Sequence, residues 1–196
     1  MKAIFLEKDG IFVDDLPYHL ELRVEPRRIR LGSGAGPALR LLARLDYRFF
    51  VVSHQPGIAY GRVPESAMEA VGDRLTDLLF RENLTLEGFY YCPHDPLGTL
   101  APFAIECHCR KPQPGLLLKA SFEHMIDLRA SWVIGDVLHD VEAGNRAGCR
   151  TVLLDNGKES EWRVGPRRIP TRMAPDLYAA AVLIARHHDH AQDHDA

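Results

Sequence analysis

Apolar positions along this chain follow two different periods. Short unbroken runs at 3–6, 49–52, 88–91, 132–134 and 151–154 have the length of buried strands. Between them apolar residues return every three or four positions, as on one face of a helix. Leu39, Leu41, Leu42 and Leu45 mark a helix over 37–45. Met68, Val71, Leu75, Leu78 and Leu79 mark a longer one over 64–81, a stripe that reads as core. Further helices are predicted over 116–124, over 140–147 with Gly148 as its stop, and over 175–186. Alternating strand and helix predicts an α/β fold: a parallel sheet with helices on both faces.

Residues 11–31 show neither period and read as a loop, with Arg23, Arg27, Arg28 and Arg30 in it. Gly32, Gly34 and Gly36 resemble a fragment of a nucleotide loop. They do not directly follow the first strand, so they read as a flexible lead into the next helix. Four of the ten histidines fall in 187–196, a His/Asp-rich stretch expected to be a disordered tail. One domain over 1–186 is expected, with an irregular loop over 92–109.

Composition narrows the class. A chain of 196 residues suits one domain with a full core. Hydrophobic residues are 46% and charged residues 26%, a globular profile. The net charge of -3 gives no footprint for nonspecific nucleic-acid binding. The apolar runs are too short to span a membrane, and no signal-peptide pattern opens the chain, so a cytoplasmic monomer is expected.

Two constellations carry chemistry. Cys92-x-His94 and Cys107-x-Cys109 are two close ligand pairs separated by twelve residues. Three thiols and an imidazole suit tetrahedral Zn2+ with no open position, hence a structural site that fixes the loop. A chance cluster of buried thiols is the competing reading, and His108 is an alternate ligand. The second constellation lies at strand ends. Glu7 and Asp9 follow the first strand, Ser53 and His54 the second, and Asp136 the fourth with Asp140 four residues on. Arg110 and Lys111 follow the cysteine loop. In a parallel sheet such ends meet on one edge, where ligands bind. Carboxylates suit Mg2+, and a hydroxyl with a lysine and an arginine suits a phosphate dianion.

Several segments together resemble the haloacid dehalogenase (HAD) superfamily: Phe5-Leu6-Glu7-Lys8-Asp9-Gly10, then Val51-Val52-Ser53-His54-Gln55-Pro56-Gly57. Tyr91-Cys92-Pro93-His94, Cys107-His108-Cys109-Arg110-Lys111-Pro112 and Ile134-Gly135-Asp136 narrow the likeness. They are similar to the D-glycero-D-manno-heptose 1,7-bisphosphate 7-phosphatases and the histidinol-phosphate phosphatases. The resemblance implies a Rossmann-like (HAD) fold with a zinc loop and no large cap domain. It also implies Mg-dependent hydrolysis of a sugar phosphate through an acyl phosphate, in carbohydrate metabolism toward lipopolysaccharide. By the resemblance, Glu7 holds the position of the nucleophile and Asp9 that of the general acid–base. Mg2+ would sit on Glu7, the Asp9 backbone carbonyl and Asp136, supported by Asp140. Ser53, His54, Gln55 and Lys111 would hold phosphate, and Arg110, Asp15 and Tyr18 would meet the substrate.

The chain departs from that pattern at the position that matters most. The family's nucleophile is Asp, and the extra methylene of Glu7 moves the carboxylate by ~1 Å, a shift worth about a hundredfold in rate. Ile11 stands where relatives often have Thr, His54 where they have Asn, and Pro56 where they have a small polar residue. Two readings follow. One is a working phosphatase, favoured by the retained Asp9 and Lys111. The other is a pseudo-phosphatase that keeps the fold and phosphate binding for a structural or regulatory role, favoured by Glu7 and His54.

Overall fold

The computed structural model describes residues 1–13, 24–157, 159, 162–163 and 165–193. Its centre is β1, Ala3–Glu7, in which every residue is buried. Strands on both sides run parallel to it: β4 (Arg48–His54) on one and β6 (Trp132–Gly135) on the other. β5 (Leu86–Cys92) extends the sheet beyond β4, and β7 (Arg150–Leu154) and β8 (Arg172–Ala174) extend it beyond β6. All five pairings are parallel, in the order β5-β4-β1-β6-β7-β8. A strand buried on both faces needs no polar alternation, which is why these segments read as continuous apolar runs.

The register aligns the functional edge. Glu7 is opposite Val52, Leu6 opposite Ile134, and His54 opposite Cys92. The C-terminal ends of β1, β4, β5 and β6 therefore lie side by side. Successive strands are added on one side of β1 (β4, β5) and then on the other (β6, β7, β8), so the crevice there opens at the switch point of the sheet.

Alternate residues of each strand serve opposite faces. Ile4, Leu6, Phe49 and Val51 pack with Leu39 and Leu42 of α2 (Ala35–Arg44), Val71 and Leu75 of α3 (Ala67–Arg81), and Ile184 of α6 (Leu177–Asp193). Ala3, Phe5, Phe50 and Val52 pack with Leu116, Leu117 and Ala120 of α4 (Gly115–His124) and Ala143 of α5 (Leu138–Ala147). A single turn, α1 (Lys8–Ile11), follows β1 directly. Among the described residues no further folded unit interrupts the alternation, and no helix is long and apolar enough to cross a membrane.

The structure differs from the sequence reading in three places. The expected loop over 11–31 contains a short antiparallel pair, β2 (Phe12–Val13) with β3 (Arg30–Leu31), and a 3-10 turn at Pro26–Arg28. Two-residue strands are too short to show a period. β8 reads Arg-Met-Ala, with only Ala174 buried, so its apolar signal is one residue long. The expected disordered tail is helical as far as Asp193, because α6 continues past Arg186. His187 stacks edge-on against Trp132, and Lys2 Nζ meets His188 Nε2 at 3.2 Å, which gives this last stretch partners. Asp15 and Tyr18 lie outside the described residues.

Candidate active site and metal centre

β1 delivers Glu7 to the sheet edge, and α1 turns the chain away at once. Glu7 is buried, whereas the Asp9 side chain is half exposed and paired with Lys8. The two acids therefore do not occupy equal positions. One lies inside the site and one at its mouth.

Lys111 enters from the other side of the crevice. Its Nζ is 2.5 Å from Asp140 Oδ1 and 3.4 Å from Glu7 Oε1. Burial opposes a charge there, but Asp140 and Glu7 outweigh it and hold the ammonium above the ordinary lysine range. Glu7 responds the other way. Burial pushes its carboxyl up to about 7; Lys111 opposes this, while Asp9, Asp140 and Asp136 add to it. Asp140 is also raised by burial, with Lys111 acting against it and the Asp136 charge adding to the rise.

Asp140 is held from behind. It is the third residue of α5, and its Oδ2 accepts the Val137 backbone N–H at 3.3 Å. It presses on Gly135: a Cβ there would lie 2.3 Å from Asp140 Oδ2, so only glycine fits beneath it. Asp136 is buried and accepts Asn156 Nδ2 at 3.2 Å. Asn156 follows β7, and nothing in its sequence surroundings marks it. Glu159, also unmarked, accepts the Leu138 backbone N–H at 2.5 Å and so caps the first turn of α5.

The phosphate candidates Ser53, His54 and Gln55 cluster at the C-terminal end of β4. Ser53 is fully buried, and its Oγ accepts Gln55 Nε2 at 2.8 Å. His54 Nε2–H donates to the His94 carbonyl at 2.9 Å, so this ring ties β4 to the cysteine loop. Burial lowers its basicity; the His94 carbonyl works against that, and the Arg110 and Lys111 charges lower it further. The Gln55 backbone N–H makes a parallel tie to the Cys92 carbonyl at 2.8 Å. Arg110 Nη2 lies 3.3 Å from Asp95 Oδ2. Asp95 is buried and also accepts the Leu97 N–H. Its place directly after a ligand pair was the one hint of this role in the sequence.

The cysteine loop closes on itself. Cys92, His94, Cys107 and Cys109 bring their ligand atoms within 4.8 Å of one another, the one such group among the described residues. The sulfur separations are 3.6 Å (Cys92–Cys107), 3.2 Å (Cys92–Cys109) and 3.4 Å (Cys107–Cys109). His94 Nδ1 is 3.3 Å from Cys109 Sγ and 3.7 Å from Cys92 Sγ. Thiolates around Zn2+ at ~2.3 Å have S–S edges of roughly 3.8 Å, so these three thiols and the imidazole lie slightly inside the size of a tetrahedral shell. The Arg110 backbone N–H points at Cys107 Sγ, 3.3 Å away. His108 is not part of the group. Its carbonyl instead accepts the Gly115 N–H, fixing the loop to the start of α4. Cys149 stands apart, and burial pushes its thiol up to about 12.

Both metal expectations meet a suitable donor set. The quartet could hold a metal ion once its ligands spread by a few tenths of an ångström. At the sheet edge, the Glu7 and Asp140 carboxyls, raised first by burial and then by the charge of neighbouring carboxylates, favour a divalent cation with oxygen ligands.

Comparison with known proteins points the same way. Residues 108–180 match the HAD-hydrolase-like family model. The D-glycero-beta-D-manno-heptose-1,7-bisphosphate 7-phosphatase of Salmonella typhi is 37% identical over 157 residues, 80% of this chain and 81% of that protein. The protein of the same name from Escherichia coli K12 is also 37% identical, over 80% of each chain. The crystal structure of D,D-heptose 1,7-bisphosphate phosphatase from B. bronchiseptica, complexed with magnesium and phosphate, superposes with a TM-score of 0.73 at 26% identity. The match covers 95% of this chain and 99% of that one.

Proposed function

This chain belongs to the HAD-like hydrolases, among the heptose bisphosphate phosphatases, and from that premise we propose that it hydrolyses a phosphate monoester of a sugar, D-glycero-D-manno-heptose 1,7-bisphosphate at its 7-phosphate. The observation that carries the reading is the Lys111 ammonium set between Glu7 and Asp140 at the edge where β1 and β6 end. A cation fixed there sits beside the candidate nucleophile and can hold the equatorial phosphoryl oxygens as charge shifts onto them.

In this reading a Glu7 carboxylate oxygen attacks phosphorus, the P–O bond to the sugar breaks, and Asp9 gives its proton to the departing sugar oxygen. The Asp9 carboxylate then takes a proton from water, whose oxygen attacks the phosphorus of the acyl phosphate. Inorganic phosphate leaves and Glu7 is restored. The half-exposed position of Asp9 suits a group that serves first the leaving sugar and then water. Ser53 and Lys111 hold the phosphoryl group, with Gln55 orienting the Ser53 hydroxyl. Arg110, kept in place by Asp95, meets the sugar side of the substrate, and Asp15 and Tyr18 are assigned to the same side. Glu7, the Asp9 carbonyl and Asp136 would hold Mg2+, with Asp140 in support. When bound, that ion neutralises charge on the phosphoryl oxygens. Zn2+ in the quartet would serve structure, since Arg110 and Lys111 follow its last ligand directly. The chain is proposed to act as a cytoplasmic monomer, folded as one domain that includes α6.

Phosphate release from heptose bisphosphate, with histidinol phosphate in parallel, tests the substrate. Preference for the heptose compound by at least tenfold in kcat/KM is the expected result. The reverse preference would reassign the substrate within the same chemistry, and release from neither would overturn the reading.

A further inference from the structure

β1 hands the chain to α1 between the two acids of the proposed mechanism, and the residue at that junction is a lysine. Lys8 is buried, with 4% of its side chain exposed, whereas the Asp9 side chain beside it is 52% exposed. A buried ammonium is tolerated where a counter-charge and hydrogen bonds replace its water. Here the Lys8 Nζ–H donates to Asp9 Oδ1. Two exposed neighbours paired in this way would constrain each other little. In this pair the cation is held by burial and the anion is not, so the constraint runs from Lys8 to Asp9.

The proposed chemistry leaves Lys8 without a part. Glu7 takes its opposing charge from Lys111, which also pairs with Asp140. The ammonium groups are thus divided between the two acids: Lys111 meets Glu7 inside the crevice, and Lys8 meets Asp9 at its mouth.

Asp9 is a group that gains from such a constraint. A half-exposed side chain on a single helical turn has several staggered rotamers open to it. Proton transfer to a leaving oxygen requires the carboxyl within hydrogen-bond reach of that oxygen. A displacement of ~1 Å costs about a hundredfold in rate. We propose that Lys8 is a positioning residue for Asp9: its buried ammonium holds the Asp9 carboxyl group, through Oδ1, in the orientation from which it serves the departing sugar oxygen. This role for Lys8 rests on the phosphatase reading, in which Asp9 is the general acid–base.

The test separates leaving groups. A sugar oxygen needs a proton as its P–O bond breaks, whereas p-nitrophenolate leaves without one. Single-turnover cleavage, with the full chain in excess and Mg2+ present, is measured on heptose bisphosphate and on p-nitrophenyl phosphate. The chains compared are the natural one, Lys8→Met, Lys8→Gln, Lys8→Arg and Asp9→Asn. Met keeps the length and removes the charge, a replacement that buried ion pairs tolerate, and Gln makes the same comparison with a polar side chain. Thermal melts check folding. The expected result is that both neutral variants slow cleavage of the sugar phosphate at least tenfold and that of p-nitrophenyl phosphate less than threefold. Asp9→Asn should show the same selectivity, and Lys8→Arg should recover the sugar-phosphate rate to within threefold. Equal slowing of both esters by the neutral variants would overturn the proposal, as would no slowing of either. Both of those results leave the phosphatase reading standing, because the natural chain still cleaves. No cleavage of either ester by the natural chain would overturn the phosphatase reading and this role together.

Discussion

Lys111 Nζ and Asp140 Oδ1 meet at 2.5 Å across 29 residues of chain, and both side chains are almost fully buried. This ion pair joins the end of the cysteine loop to the first turn of α5. It fixes the Lys111 ammonium that faces Glu7.

Removing one partner should therefore cost both stability and rate. Asp140→Ala leaves a buried ammonium with half its compensation, a change worth about 3–5 kcal/mol. Lys111→Met should lower kcat/KM by about 100- to 1000-fold, the usual cost of losing one donor to developing charge. Urea unfolding and steady-state phosphate release measure the two effects separately.

Gly135→Ala tests the same pair indirectly. Its methyl group would fall 2.3 Å from Asp140 Oδ2. Overpacking of this kind costs about 1–3 kcal/mol. Because Asp140 must move and Lys111 with it, kcat should drop more than the stability loss alone explains. A melt combined with a rate measurement on the folded variant checks this.

The quartet predicts one equivalent of Zn2+ in purified protein, by elemental analysis. Cys109→Ser should lose the metal and with it turnover, since Arg110 and Lys111 follow that ligand. Less than about half an equivalent in folded natural protein would contradict a structural site.

Glu142 gives a prediction for pH. Arg168 and Arg146 hold its carboxyl below the usual range against the effect of burial, so the folded value lies below the unfolded one of ~4.3. Its stabilising contribution is then complete above the unfolded value and is lost as pH falls through the folded one. Glu142→Gln should be less stable at pH 7 by about 1 kcal/mol, with the gap closing in acid. Denaturant midpoints from pH 7 down to pH 3 measure it.

What the sequence revealed depended on how local each signal was. The buried strands β1, β4, β6 and β7 carry their apolar runs within a few consecutive residues, and so do the cysteine pairs. The edge strand β8 has one buried side chain, and β2 and β3 have two residues each, so no periodicity existed to read. Asn156 and Glu159 escaped because their partners, Asp136 and the Leu138 N–H, lie about twenty residues away and are set by the fold. His54 was legible as a polar strand end. Its attachment to the His94 carbonyl was not, since that depends on β4 and β5 lying in register.

Glu7, despite its extra methylene, is proposed as the attacking group of a working phosphatase. Single-turnover and steady-state phosphate release from heptose bisphosphate with Mg2+ should be compared in the natural chain, Glu7→Asp and Asp9→Asn. The expected result is measurable turnover by the natural chain, a gain of about a hundredfold with Glu7→Asp, and loss of turnover with Asp9→Asn. A folded, zinc-loaded natural chain that releases no phosphate, beside an active Glu7→Asp variant, would contradict it.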